Sequence, residues 1–264
     1  MTQPLLLMLA VVAATWDAWR WYADRIATAP EEGAALALTI AFLFALRWRS
    51  PATTPVRTPL PLWTLSALLL LYAFSFGTLP PIGRAALAVL ATLLCLYRAL
   101  IDRQPPIAFW GLVALSLPVL PSLQFALGFG MRVVSAAATV VLLRAQGFDV
   151  SRQGTFLLWQ GEMVQFDAPC SGVNMLWAGL LVAFMGSLAQ RFGIAKTAGA
   201  VTLSVALTLV GNVLRAASLF LIETGHITGL PAWSHEAVGI AAFLLSAAGV
   251  MWGLHSLEPK SRMA

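Results

Sequence analysis

A cysteine, an arginine and a histidine each stand where a purely structural membrane helix gains little from them. Cys170 lies in FDAPCSGVNMLWAGLLVAF (residues 166–184), after a proline and before Ser-Gly, at the start of a long apolar run. Backbone N–H groups are unpaired at a helix start, and a thiolate is stabilised there. Gly172 allows another backbone or a substrate to come close, and Ser171 suits a cap rather than a nucleophile. Arg215 sits between LTLVGNVL and AASLFLI, which puts a guanidinium at or near hydrocarbon depth. That position is expensive unless the side chain snorkels or faces a polar cavity. Asn212, three residues earlier, shares its helix face and could orient the arginine or tie helices together. His235 occurs in PAWSHEAVG, with Ser234 as a candidate N-cap and Glu236 in the first turn. The positive end of a helix dipole favours the neutral imidazole, and hence a base.

Together these residue types permit covalent acyl transfer. Cys170 would attack a peptide carbonyl, His235 would take the thiol proton and return it to the leaving amine, and Arg215 would stabilise the oxyanion. The chain's other cysteine, Cys95, lies in the oily stretch CLYRAL and reads as packing; His226, in TGHITG, is a weaker candidate, and His255 falls at the opposite membrane face. Two cysteines without CxxC spacing and three isolated histidines give no metal cluster. Acyl transfer by a thiol needs no cofactor, so none is expected.

What must position these groups is a membrane bundle. Of 264 residues, 59% are hydrophobic and 10% charged, far from the quarter or so charged in a soluble domain. Apolar segments fall at about 4–22, 34–47, 60–79, 84–100, 107–127, 131–143, 172–190, 197–222 and 236–254. The run at 131–143, opening on Arg132, is too short for a span and reads as an interfacial or re-entrant helix. The other eight predict an all-α, polytopic transmembrane bundle forming a single domain, 1–264, with a four-span N-terminal region at 1–104. The chain's start lacks the basic flank and cleavage site of a removable signal and reads as a retained helix.

With the N-terminus inside, nine of the sixteen basic residues face the cytoplasm: Arg47, Arg49, Arg57, Arg98, Arg103, Arg191, Lys196, Lys260 and Arg262. Only Asp102 and Glu258 of the eleven acidic residues join them, a positive-inside pattern. The same topology brings Cys170, Asn212, Arg215 and His235 to the outer face. The net charge of +5 is dispersed over helix ends rather than gathered into a stripe, so no nucleic-acid partner is expected. The stretch at 51–61 reads as an extended connector, and the polar loop 144–168 predicts short strands around Gly154 and Gly161. Glu162 and Asp167 in that loop are candidate substrate contacts.

APCSG at 168–172, GNVLR at 211–215 and HEAVG at 235–239, in that order in a polytopic chain, resemble the exosortase/archaeosortase family. The resemblance covers roughly 105–255, the expected catalytic core. It implies a cysteine transpeptidase acting on membrane-anchored proteins that carry a C-terminal sorting signal, of the PEP-CTERM type in bacteria. It further implies a bacterial inner-membrane location among membrane lipids, with both termini cytoplasmic and the active site facing the periplasm. The acyl group would pass to a lipid- or exopolysaccharide-linked acceptor. By motif match Cys170 is the nucleophile, with Arg215 and His235 its partners; Pro169 stands where the family's step usually has alanine. Asn174, one turn beyond Cys170, adds a polar group that could bind substrate backbone or tie helices.

The residues alone leave two alternatives open. One is a hydrolytic membrane protease; the other is a transporter or scaffold with Arg215 as an anion or lipid site, which lacks the paired broken helices such transporters use. In single-cysteine variants, a membrane-impermeant maleimide added from the periplasmic side should label Cys170 and leave Cys95 unlabelled. The reverse pattern would overturn the topology.

Overall fold

The computed structural model describes residues 2–49, 62–101, 104–165, 171–231 and 233–257. The connector 51–61, Asp167, Pro169, Cys170 and the tail residues Lys260 and Arg262 lie outside them. Among the described residues are ten helices: α1 (Thr2–Ala14), α2 (Trp16–Thr28), α3 (Pro30–Arg49), α4 (Leu62–Phe74), α5 (Pro81–Ile101), α6 (Ile107–Leu115), α7 (Leu120–Ala145), α8 (Val173–Ala189), α9 (Ile194–Glu223) and α10 (Ser234–Ser256). Three strands, β1 (Ser151–Gln153), β2 (Phe156–Trp159) and β3 (Glu162–Gln165), form one antiparallel sheet in the order β1-β2-β3. Four helices, α5, α7, α9 and α10, are long and apolar enough to cross a membrane; α4 and α8 are apolar but shorter. The chain is a multi-pass, predominantly helical membrane protein.

Three expectations are corrected. The run at 131–143 is neither interfacial nor re-entrant: it is the C-terminal half of α7, a continuous helix of 26 residues with Arg132 inside it. The chain breaks earlier, between Ser116 and Val119, so the segment expected at 107–127 is divided between α6 and α7. Pro118 disfavours helix in the residue before it, and Pro121 is tolerated in the first turn of α7, where N–H groups have no intrahelical partner. Gly128 and Gly130 are carried within the helix. The segment at 4–22 is likewise divided, at Thr15, whose hydroxyl donates to Val11 O (2.8 Å). Beyond it, α2 carries Asp17, Arg20, Asp24 and Arg25 and buries only Ala18 and Tyr22.

The chain forms two compact units. The first comprises Met1–Val119 and Ser187–Ile194, and in it α5 packs against α1, α2, α3, α4 and α6. Several polar groups inside this unit are paired. Glu32, 2% exposed, receives two bonds of 3.0 Å from Arg25, Arg84 reaches Asp17 at 2.8 Å, and the Tyr22 hydroxyl donates to Ser116 O at 2.6 Å. Cys95 is buried with Val11, Leu65 and Ala91, in keeping with packing.

The second unit, Leu120–Gly186 with Ala195–Ala264, holds the functional motifs. Its sheet is a meander with two-residue turns at Gly154–Thr155 and Gln160–Gly161. Gln160 and Gly161 both have positive φ (50° and 84°), the conformation that matches the twist of a tight hairpin. Leu157 from β2 and Val150 join Ala136, Val140 and Leu143 of α7 and Ala216, Ala217 and Phe220 of α9 in one core.

Small residues bring α9 and α10 together as an antiparallel pair. A Cβ on Gly253 would collide with Leu203, and one on Gly249 would stand 2.9 Å from Leu207 Cδ1. One on Gly211 would meet the Ser246 hydroxyl, which itself donates to Leu207 O (3.1 Å) and Ala242 O (2.9 Å). Such seams let backbones approach in the bilayer, where no hydrophobic force drives helix against helix. Lys196 Nζ donates to Leu257 O (2.7 Å) and fixes the register at the far end. Gly253→Leu should lower the thermal unfolding midpoint in detergent, corresponding to about 1–3 kcal/mol of overpacking. An unchanged midpoint would mean that the two helices do not meet there.

Candidate functional site

The residues that follow Cys170 enter α8 through a strained step. Ser171 is 4% exposed, and its hydroxyl accepts from Val173 N (3.4 Å), a local cap at the helix start. Gly172 has φ +78° and accepts from Leu176 N (2.9 Å). Any side chain there is strained by the backbone, and the space is already filled: an added Cβ would lie 2.8 Å from Asn212 Cγ. The Asn212 carboxamide therefore packs directly on the backbone two residues after Cys170.

Asn212 is 1% exposed and donates from Nδ2 to the Ser135 hydroxyl of α7 (2.9 Å). A single side chain of α9 thus joins α7 to the start of α8. Three residues on, Arg215 projects from the neighbouring part of the same face. Its guanidinium lies over Gly239 of α10, where an added Cβ would stand 3.3 Å from Nε and 3.5 Å from Cζ. Glycine leaves the room that the guanidinium occupies.

His235 is exposed in the first turn of α10, four residues before Gly239 and so on the same helix face, about 6 Å along the axis. Glu236 is in that turn too, as expected. Ser234 is the first helical residue rather than the cap; Trp233 takes the N-cap position without a side-chain bond. The structure thus brings Gly172 at the start of α8 against Asn212, and Gly239 near the start of α10 against Arg215, both in the second half of α9. His255 lies twenty residues beyond His235 on α10, about 30 Å away by helical rise.

The remaining candidates are more peripheral. Asn174 is exposed and its Oδ1 accepts from Gln124 Nε2 of α7 (2.8 Å), which ties helices at the surface. Glu162 opens β3, paired with Trp159 across the tight turn. His226 packs edge-on against Phe148 and Trp159, with Nδ1 2.9 Å from the Thr224 hydroxyl, and belongs to the aromatic joint between sheet and α9. Sequence reading gave no role to Ser135, Gly239 or Gln124. Gly239 had a signal, standing one turn after His235 in HEAVG, whereas a serine within an apolar run has none.

A multi-pass membrane bundle with a cluster of polar groups at helix ends is the class these observations define. A family model described as transmembrane exosortase (Exosortase_EpsH) matches residues 3–252, and the chain belongs to that family, of cysteine peptidase/transpeptidase-type enzymes. Neither the curated proteins nor the solved structures give a significant match.

Gly172→Ala should cost about 1–3 kcal/mol from the backbone alone and displace Asn212 as well. Gly179→Ala, which would place its Cβ 2.8 Å from Ser204 Oγ away from the site, serves as the packing control. Processing of a membrane-anchored substrate should fall more for Gly172→Ala than for Gly179→Ala at equal loss of thermal midpoint. Equal processing would remove the special status of the Gly172 step.

Proposed function

We propose that this exosortase cleaves the C-terminal sorting signals of exported, membrane-anchored proteins at the outer face of the bacterial inner membrane, through a thioester on Cys170. The chain acts as one integral membrane domain with catalysis in residues 105–255. Its eight crossings keep both termini in the cytoplasm, and α7 supplies the fifth. That substitution for the segment at 107–127 leaves the sidedness of every later helix unchanged. Substrates carry their own membrane helix and approach laterally among the lipids, presenting an extended segment to the rim that contains Glu162 and Asp167.

The steps follow from the groups available. His235 withdraws the Cys170 proton, and the thiolate adds to the scissile carbonyl. Negative charge on the carbonyl oxygen is met by Arg215, in surroundings drier than bulk water. Collapse of the adduct breaks the C–N bond, and His235 returns its proton to the departing amine. A nucleophile then attacks the thioester, regenerating the thiol and leaving the acyl group on a lipid- or exopolysaccharide-linked acceptor, or on water.

The observation that carries this reading is the pair of close approaches. Asn212 lies on Gly172, two residues from Cys170, and Arg215 lies on Gly239, one turn from His235. Three motifs separated by tens of residues thereby share one corner of a unit.

Candidate membrane-anchored substrates should be co-expressed with the wild type and with single variants. Processing should fall by on the order of 10³-fold or more for Cys170→Ala, and by roughly 10²-fold or more for Arg215→Ala and His235→Ala. Cys95→Ala should process normally. Continued processing by Cys170→Ala would overturn the mechanism. Loss confined to Arg215→Ala would instead favour a transport or scaffold role, and the mass of the processed product reads whether water or an acceptor took the acyl group.

A further inference from the structure

We infer that Ser135, in the middle of α7, is a positioning residue for the nucleophile, acting through Asn212 on the backbone that follows Cys170; the inference rests on the cysteine reading above. Ser135 is completely buried and Asn212 nearly so, and the bond between them joins two helices far apart in sequence. A primary carboxamide can present either its oxygen or its NH2 group to a neighbour, at similar shape. In the structure Nδ2 is the end that faces Ser135, donating to its Oγ at 2.9 Å, and the bond ties the carboxamide in that orientation to α7.

That orientation is felt at Gly172. The carboxamide is close there on all three of its heavy atoms: an added Cβ would stand 2.8 Å from Cγ, 3.0 Å from Nδ2 and 3.1 Å from Oδ1. Its plane forms the wall against which the positive-φ step is pressed. With the Ser135 hydroxyl removed, a buried Nδ2–H loses this acceptor, and the amide turns or shifts to recover one. The wall then moves, and with it the path of the chain from Cys170 into α8. Asn212 also precedes Arg215 by three residues, on a neighbouring part of the same face of α9. The core around Ala136, Val140 and Phe220 holds α7 and α9 together with or without this bond. Ser135 is therefore dispensable for the packing of the two helices.

The test uses the full chain in membranes, with Cys95→Ala so that Cys170 is the single thiol. The rate of Cys170 alkylation by iodoacetamide is measured beside processing of a co-expressed membrane-anchored substrate. Ser135→Ala should slow alkylation about threefold or more and processing about tenfold, mainly in kcat, with an unchanged unfolding midpoint. Ser135→Thr, which keeps the hydroxyl, should restore both to within about twofold. Asn212→Ala combined with Ser135→Ala should be no worse than Asn212→Ala alone, as expected of groups acting in series.

Wild-type rates in Ser135→Ala, or additive losses in the double variant, would overturn the inference. Should Ser135→Ala fail to accumulate, Ser135→Thr decides by itself, since loss of alkylation and processing in that variant would also overturn it. Failure of the cysteine reading is separate: it shows as processing by Cys170→Ala, and it leaves the alkylation rates unaffected.

Discussion

A guanidinium set in an apolar helix must be given polar surroundings or a route to water, and how α9 and α10 pack decides what Arg215 faces. Arg215 lies over Gly239, where α10 has no side chain. The accommodation is possible only if α9 and α10 run close together along their length. Gly211, Ser246, Gly249 and Gly253 provide this, with Lys196 on Leu257 O at the other end. Residues more than 20 Å from Arg215, by helical rise, therefore help decide what the arginine faces. The antiparallel register also fixes His235, because it sits one turn before the glycine that the arginine covers.

The first unit solves a related problem differently. Two of its acidic residues near the start are met by arginines. Glu32, almost fully buried, is gripped by Arg25 with two bonds, and Asp17 meets Arg84. Breaking one member of a buried pair strands the other charge, which is far costlier than losing both together. Around these pairs α5 supplies alanine, valine and leucine to five neighbouring helices. In this unit polar groups hold helices together, whereas in the second the polar residues named at the helix ends converge on one place.

Much of this was readable in the sequence, and the errors have physical causes. Segments 84–100, 197–222 and 236–254 were located to within a few residues, because long apolar runs with basic ends leave little choice. The short strands expected around Gly154 and Gly161 are present, as a three-stranded meander that turns at both glycines. The course of α7 was misread because the run at 131–143 was counted by itself, opening on Arg132 and too short to span, whereas the helix continues back through Gly130 and Gly128 and starts at Leu120. In a bilayer, neighbouring helices supply what glycine lacks in propensity, so a proline near an end is the stronger interruption. It is α7, rather than the segment at 107–127, that is long and apolar enough to cross a membrane. Ser135 was invisible for another reason: its partner is 77 residues away, and nothing in an apolar run marks which serine will face it.

The burial of the site residues follows a gradient that suits the chemistry proposed for them. Asn212 is sealed within the bundle, Arg215 is half-buried, and His235 stands exposed at the helix start. A residue that only fixes geometry gains from exclusion of water, because competing hydrogen bonds would loosen it. A cation that meets a developing oxyanion gains strength from partial dehydration. A base that must give its proton to a departing amine, and then serve a second nucleophile, needs access from outside. The order of burial along Asn212, Arg215 and His235 is the order in which these demands shift from rigidity to exchange. It is produced by two helices whose closeness places each residue one turn further from the sealed interior.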